Sequence, residues 1–236
     1  GLIGCEFAND LVNTDFKVSV IGPDPYPMST LLPEPIASEL AENLSLKGVS
    51  WHLNTVTESI NKCVDGRGRY ELDLKNGDKI TADIVISAVG LKANTELAQA
   101  AGIAVNRGII TDNFLQTSEK NIFALGDCAE VSGHNLLFIA PILAGARALA
   151  KTLNGEKTNV IYPAMPVAIK TPSYPLVVSP PAVDEEGNWS FEKAESEFGI
   201  KGLFFSPEKA LLGFVLSGDA VTEKQVLSKQ LPAVLS

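Results

Sequence analysis

The sequence predicts an α/β fold, because short apolar segments with strand periodicity alternate with amphipathic helical segments along its 236 residues. Two glycine motifs support this prediction. A Gly-x-x-Gly turn at residues 1–4 runs directly into a helical pattern, and an apolar run at residues 122–125 stops at Gly126-Asp127. Glycines at such turns let the backbone approach a ligand closely. We therefore expect a ligand-binding α/β protein.

Residues 1–93 have the pattern of a nucleotide-binding domain. The opening GLIGCEFANDL matches the second part of the fingerprint G-x-G-x-x-G, in which Gly1 approaches a pyrophosphate and Gly4 packs the helix. Because the first glycine and its strand are absent from the sequence, we expect this chain to be the carboxyl-terminal part of a longer protein. Asp24 follows a predicted strand at residues 17–21, where a carboxylate can bind an adenosine ribose. An acid in a proline-rich turn can also be a simple turn former.

The remainder of this region alternates between helix and strand as well. The pattern predicts a helix at residues 34–47 and strands at residues 49–53, 70–74 and 79–89. The dipeptide Asn76-Gly77 separates the last two strands and is typical of a tight hairpin turn.

The second predicted region, residues 94–155, contains the Gly126-Asp127 motif. A helix begins after Asn94, strands are predicted at residues 108–111 and 122–125, and a long helix at residues 136–153. Asp127 would lie at the carboxyl end of a strand, where its carboxylate can accept hydrogen bonds from sugar or ribityl hydroxyls. The alternative is that Asp127 caps a helix that follows the strand.

Residues 156–236 are predicted to form a small α+β domain. Its last helix is expected at residues 222–230, with Thr222 as the capping residue. The predicted strands are residues 167–171, 176–180, 188–191, 203–205 and 211–217.

Composition excludes several classes of function. A net charge of −9 argues against nucleic acid or an anionic membrane surface as a partner, and no run approaches the ~18 apolar residues of a membrane-spanning helix. The three cysteines include no C-x-x-C pair, which suits a reducing cytoplasm and leaves no redox-active dithiol within these residues. The two histidines, His52 and His134, lack the spacing of metal ligands, so no metal site is expected.

Several segments together resemble the two-dinucleotide-binding flavoprotein reductases, in which an NAD domain is inserted into an FAD domain. The resemblance covers the whole chain. It is most specific to the rubredoxin-reducing members of the family through KTPSYPLVVSPP at residues 170–181. The other segments that carry it are GLIGCEFANDL, ADIVISAVGLKANTELAQAAGI, VNRGI and IFALGDCAEVSG.

The resemblance implies a fold, two cofactors and a reaction. The fold would be a Rossmann-like NAD-binding domain without its first strand, the returning part of an FAD-binding domain, and the small α+β domain. A cytoplasmic oxidoreductase would pass electrons from NADH through FAD to rubredoxin or a similar small iron electron carrier. Ferredoxin and oxygen are alternative acceptors, and a non-catalytic folded fragment is an alternative to an enzyme. We expect this chain to be inactive by itself.

The same resemblance implies which residues bind the cofactors. Glu6 would hold the nicotinamide carboxamide, although it can equally interact with the positive end of its own helix. Lys170 and Thr171 would reach the flavin, and the start of the helix at residues 136–153 would face the pyrimidine edge of the flavin. The full set is Gly1, Gly4, Glu6, Asp24, Gly90, Gly126, Asp127, Ile139, Lys170 and Thr171.

Charge also bears on the partner and on nucleotide choice. Because rubredoxins are acidic like this chain, docking would need a local basic patch, and the candidates are Lys170, Lys193, Lys201 and Lys209. Asp24 with no arginine nearby predicts a preference for NADH over NADPH.

Overall fold

The computed structural model describes residues 1–63 and 69–236. Their contacts form two units. The first unit contains Gly1–Gly90 and Pro166–Gln230, and the second contains Leu91–Met165 and Leu231–Ser236. The first unit therefore joins two segments that lie far apart in the sequence. The limits of the three regions given above stay a prediction.

The amino-terminal part of the first unit is a small α/β layer. Its helices and strands are α1 (Leu2–Val12), β1 (Val18–Ile21), α2 (Glu34–Leu46) and β2 (Val49–His52). The strands are parallel, with Val18 opposite Val49. Helix α2 buries Ile36, Leu40 and Leu44 along one face, which is the spacing that predicted it. These elements confirm the sequence prediction.

A three-stranded antiparallel sheet follows, formed by β3 (Thr57–Lys62), β4 (Tyr70–Leu74) and β5 (Lys79–Ala82). The predicted hairpin between β4 and β5 is confirmed, since Gly77 has φ +91°. Strand β3 was not predicted, because Ile60 is its only aliphatic residue. Polar side chains hold β3 instead: the Asp73 carboxylate accepts hydrogen bonds from Ser59 Oγ at 2.6 Å and from Asn61 Nδ2 at 3.2 Å.

The strand predicted at residues 79–89 is wrong beyond Ala82. Residues 84–89 have no strand structure, and Val89 is 93% exposed. An apolar run forms a strand only where another backbone pairs with it. No strand in the described part of the chain pairs with these residues.

The second unit contains α3 (Glu96–Ala100), β6 (Ile109–Thr111), β7 (Ala129–Val131) and α4 (Ile139–Leu153). Strands β6 and β7 are parallel. The predicted long helix is confirmed, although it begins at Ile139 and not at Leu136. Leu115, Val160 and Tyr162 lie in the core of this unit.

The buried strand predicted at residues 122–125 is wrong. Phe123 makes only an isolated antiparallel bridge with Gln116, and Ile122 is exposed. Gln116 and Phe123 are joined by a short turn, and only this one pair of residues is bridged, which is too short for a strand. The strand of this segment is β7, which comes after Asp127; Asp127 therefore precedes a strand and does not end one.

The carboxyl-terminal part of the first unit is a five-stranded antiparallel sheet in the order β10-β11-β12-β9-β8. Its strands are β8 (Val167–Ile169), β9 (Leu176–Ser179), β10 (Asn188–Lys193), β11 (Ile200–Phe205) and β12 (Leu211–Ser217). Central strand β12 buries Phe214, Val215 and Leu216 completely. All five strands were predicted, with ends that differ by a few residues.

The last predicted helix is correct in place but wrong in form. A 3-10 helix spans Gly218–Glu223, and the α-helix α5 covers only Lys224–Ser228. Thr222 does not cap α5. Its hydroxyl instead donates to the Asp219 carbonyl at 2.9 Å, inside the 3-10 turn, which is a local bond that competes with capping.

A buried polar network joins the two parts of the first unit. The Tyr174 hydroxyl donates to the Glu39 carboxylate of α2, and Lys193 of β10 forms an ion pair with the same carboxylate. Ser217 Oγ lies 2.9 Å from the Tyr174 hydroxyl oxygen. Burial raises the pKa of Tyr174, and the bond to Glu39 raises it further, so Tyr174 stays a neutral donor.

Candidate nucleotide and flavin sites

The start of α1 is open to an anion. Gly1 is the N-cap residue of this helix, and no side chain forms a capping hydrogen bond there. The first turn of the helix contains no acidic residue. The unpaired N–H groups of a helix start attract negative charge such as a pyrophosphate. Gly4 faces Ala88, and a Cβ added at Gly4 would lie 3.7 Å from the Ala88 Cβ. Gly4 therefore lets the helix lie close to Ala88, and its role beside a pyrophosphate stays a prediction.

Asp24 lies just beyond the carboxyl end of β1. The backbone of this turn is held to the end of β2: the Asn54 amide donates to the Asp24 carbonyl and the Thr55 amide to the Gly22 carbonyl, each at 3.1 Å. The Asp24 carboxylate is half-buried and has no hydrogen-bond or ion-pair partner among residues 1–63 and 69–236. A fixed backbone with an unpaired carboxylate suits the binding of ribose hydroxyls.

Gly90 has φ +102°, a conformation that favours glycine, and no atom lies within 4 Å of the position of an added Cβ. Its surface is exposed. This turn leaves room for a ligand, and the part of Gly90 in cofactor binding stays a prediction.

Two segments that carry the family resemblance hydrogen-bond to each other. In α1, Glu6 Oε1 accepts the Lys170 amide at 2.8 Å, and Asn9 Oδ1 accepts the Ser173 amide at 3.1 Å. Asn9 is fully buried. Asn9 was not identified from the sequence, because nothing in the spacing of a helix indicates a partner 164 residues away.

Lys170 and Thr171 differ in what they offer to a ligand. The Lys170 side chain is exposed, whereas Thr171 is completely buried. The Thr171 hydroxyl donates to the Tyr174 carbonyl at 2.9 Å and so stabilises the turn that presents Lys170. Contact of either residue with flavin stays a prediction.

Gly126 and Asp127 form a tight turn in the second unit. Gly126 has φ +89°, and its carbonyl accepts the Ala129 amide at 2.9 Å. Asn135 Nδ2 donates to the carbonyls of Asp127 and Ala129, at 3.2 Å and 2.8 Å, and thereby fixes the turn. The Asp127 side chain is exposed, and it caps no helix because β7 follows it. Its carboxylate is therefore available to hydroxyl groups.

Glu130 anchors the loop before β6 beside this turn. Its carboxylate is 5% exposed and accepts hydrogen bonds from Asn106 Nδ2 and the Gly108 amide, each at 3.1 Å. Burial pushes the pKa of Glu130 upward. The bonds from Asn106, Gly108 and the Arg107 amide, with the Arg107 charge, outweigh burial and hold the pKa below its ordinary value of 4.5. Glu130 and Asn106 were not identified from the sequence.

We expect Glu130→Gln to lower the free energy of unfolding at neutral pH by about 2 kcal/mol, because Asn106 and the Gly108 amide donate to different carboxylate oxygens, and the nitrogen that replaces one oxygen cannot accept a hydrogen bond. A lowered pKa gives stability that is present above pH 4.5 and is lost as the pH falls toward the folded-state value. The difference between wild type and variant should therefore shrink on acidification. Urea unfolding at a series of pH values measures it. The exposed Glu156, changed to Gln, is the matched control, and an equal loss there would contradict the prediction.

Helix α4 begins with an uncapped end. Phe138 precedes it with no side-chain cap, and the first helical residue, Ile139, is 72% exposed. A positive helix end of this kind stabilises a nearby negative charge. Gly126, His134, Leu136 and Pro141 line a small pocket in this unit.

The four candidate docking lysines separate into two pairs. Lys193 is neutralised by Glu39, and Lys201 by Glu192 at 3.1 Å and Glu223 at 3.3 Å. Lys170 and Lys209 have no ion-pair partner in the described part of the chain. They are the two candidates whose charge is available.

The described residues also bear on membrane crossing and metal binding. None of their helices combines the length and apolar character that a bilayer crossing requires. They contain no group of three or more His, Cys, Asp or Glu side chains placed to hold a metal ion.

Two known protein families together match nearly the whole chain. Residues 1–157 match the pyridine nucleotide-disulphide oxidoreductase family. The chain belongs to this family. Residues 159–231 match a second family, the rubredoxin binding C-terminal domain. The mixed α/β fold predicted from the sequence is thereby confirmed.

Similar proteins cover the whole chain. It is 46% identical over 235 residues to the rubredoxin-NAD(+) reductase of Alcanivorax borkumensis and 47% identical over 236 residues to that of Acinetobacter baylyi. It spans 60% and 59% of the length of these two relatives. A solved ferredoxin reductase from Rhodopseudomonas palustris has the same fold, with a TM-score of 0.84 at 24% identity, over 98% of this chain and 58% of that protein.

Proposed function

We propose that this chain forms the NAD-binding part, the returning FAD-binding part and the acceptor-binding part of an NADH-dependent reductase of rubredoxin. One observation carries the proposal: a reductase family over residues 1–157 is followed directly by a rubredoxin binding domain over residues 159–231. The corresponding regions are residues 1–93, 94–155 and 156–236.

The residues of the first unit fit a nicotinamide nucleotide. The uncapped start of α1 at Gly1 and Gly4 binds the pyrophosphate, and the unpaired Asp24 carboxylate accepts hydrogen bonds from the adenosine ribose. Gly90 leaves space beside the nucleotide. Glu6 accepts a hydrogen bond from the nicotinamide carboxamide with the carboxylate oxygen that Lys170 does not use.

The residues of the second unit fit part of a flavin. Gly126 permits close backbone approach, and the exposed Asp127 carboxylate can accept hydrogen bonds from ribityl hydroxyls. The uncapped start of α4 at Ile139 would stabilise the negative charge of a reduced flavin. The bound cofactors supply hydride transfer and the conversion of two-electron into one-electron steps. The chain binds and orients them, and it needs no acid or base for hydride transfer.

The proposal also includes an acidic electron acceptor and a cytoplasmic location. Exposed Lys170 and Lys209 attract an acidic carrier such as rubredoxin. Cys5 and Cys128 are free thiols, as expected in the cytoplasm.

The test uses the complete product of the gene. We expect it to be yellow when purified, to bleach with NADH, and to reduce rubredoxin faster than ferredoxin, oxygen or disulfides. A colourless protein that stays colourless with added FAD contradicts the flavin assignment. A higher kcat/KM with ferredoxin or disulfides contradicts the acceptor. Residues 1–236 expressed alone are expected to stay colourless.

A further inference from the structure

Glu6 connects helix α1 to the loop that follows β8. Its Oε1 accepts the Lys170 amide at 2.8 Å, and its Oε2 has no hydrogen-bond partner among the described residues. The side chain is half-buried. One carboxylate oxygen is therefore fixed by the protein, and the other is free to accept a second donor.

The neighbouring residues on the same face of α1 bind the same loop. Asn9 Oδ1 accepts the Ser173 amide at 3.1 Å, and Asn13 Nδ2 lies 3.4 Å from Ser173 Oγ. Positions 6, 9 and 13 share one helix face because they are three and four residues apart. The loop is itself rigid, since Thr171 and Tyr174 exchange hydrogen bonds of 2.9 Å.

We propose that the Lys170 backbone amide is a positioning group for the nicotinamide site: it holds Glu6 so that the free Oε2 meets the carboxamide of the nucleotide. This inference rests on the function proposed above. It gives the rubredoxin binding region a second task, because residues 170–173 complete the recognition of NADH as well as belonging to the acceptor-binding domain.

The physical basis is preorganisation. A glutamate side chain has three rotatable bonds, and a ligand that must order them loses binding free energy. The Lys170 amide orders Glu6 before the nucleotide arrives. Asn9 and Ser173 keep the amide in place, so the orientation of Glu6 depends on the whole contact between α1 and the loop.

The readout is the ratio of kcat/KM for NADH to kcat/KM for an analogue without the carboxamide, compared between each variant and wild type, because the intrinsic difference in reactivity between the two nucleotides is the same for every variant. Reduced 3-acetylpyridine adenine dinucleotide replaces the carboxamide by an acetyl group and so lacks its N–H donors. We expect this ratio to be about tenfold higher in wild type than in a variant without the contact, the effect of one hydrogen bond to a charged group. Ferricyanide serves as the acceptor, so that docking of rubredoxin does not enter the measurement, and the complete gene product is used.

Two substitutions at one position isolate the amide. Lys170→Ala and Lys170→Pro both lack the ammonium group, but only the proline lacks the N–H donor. Ile169 ends strand β8, and its extended backbone is compatible with a following proline. We expect Lys170→Ala to keep the wild-type ratio, whatever its rate, and Lys170→Pro to reduce the ratio about tenfold. Glu6→Gln keeps an acceptor for Lys170 but loses the second acceptor oxygen, and it should also reduce the ratio about tenfold.

Three results would overturn the inference. They are equal ratios in Lys170→Pro and Lys170→Ala, a wild-type ratio in Glu6→Gln, and, if Lys170→Pro does not fold, a wild-type ratio in Asn9→Ala, which loses the acceptor of the Ser173 amide. The proposed function fails in a different way, because wild type would then not oxidise NADH with ferricyanide at all.

Discussion

Replacing Gly199 by alanine is expected to lower the free energy of unfolding of the first unit by about 4 kcal/mol or more, a large share of the ~5–15 kcal/mol of a typical domain. Gly199 has φ +111° in the connection before β11. An added Cβ would overlap the Ser217 carbonyl oxygen and lie 2.6 Å from its carbon. Backbone atoms cannot move aside as a flexible side chain can.

The matched control is Gly77→Ala. Gly77 has a similar φ of +91°, but no atom lies within 4 Å of an added Cβ. It therefore measures the cost of the backbone conformation without the overlap, which we expect to be about 1–2 kcal/mol. Urea denaturation followed by circular dichroism gives both free energies. Equal losses in the two variants would show that the overlap at Gly199 is relieved without cost.

The position of Gly199 gives this prediction a functional consequence. Ser217 accepts the Ile200 amide at 2.7 Å, and its hydroxyl lies beside that of Tyr174. Tyr174 belongs to the same tight loop as Lys170. A shift of the Ser217 backbone therefore reaches the loop that contacts α1, and reduced binding of NADH should accompany the loss of stability.

Elements with a strong internal pattern were predicted correctly. Helix α2 repeats its buried positions every three to four residues, and β12 is a continuous apolar run bounded by polar residues. The Asn76-Gly77 turn fixes the β4–β5 hairpin through local backbone conformation alone. In each case the information lies within about ten residues of sequence.

Elements that depend on a distant partner were predicted poorly. The apolar residues 84–89 and 122–125 have the composition of strands but lack the neighbouring backbone that would make them so. Conversely, β3 has little apolar pattern and is a strand because Asp73 of β4 binds its side chains. A one-dimensional pattern does not contain these pairings.

The contrast between local patterns and distant partners also applies to the residues of the nucleotide and flavin sites. The glycines and Asp24 and Asp127 were selected from short motifs and from the family resemblance, and the structure leaves both carboxylates unpaired among the described residues. Asn9, Glu130 and Asn135 were missed, because each acts by fixing backbone that belongs to another segment. Their polarity gives no signal until the fold brings that backbone near.

Changing Asp24 to asparagine is expected to reduce the preference of the complete gene product for NADH over NADPH by at least about tenfold in kcat/KM. The carboxylate repels the 2′-phosphate of NADPH and accepts hydrogen bonds from the ribose hydroxyls of NADH, and asparagine loses the charge that drives both effects. Wild type should favour NADH by about 100-fold, since each effect contributes roughly 1–2 kcal/mol. Ferricyanide reduction with each nucleotide measures the two values of kcat/KM.

Asp15→Asn separates a local from a general effect of charge. Asp15 is exposed and precedes β1, whereas Asp24 follows it, so both variants remove one negative charge from the same unit but from opposite ends of the strand. A long-range effect of the net charge of −9 would change the nucleotide preference equally in both variants. A contact with the ribose changes it only in Asp24→Asn, because exposed charges more than ~10 Å apart are largely screened at ordinary ionic strength. Equal use of NADH and NADPH by wild type would remove Asp24 from the nucleotide site altogether.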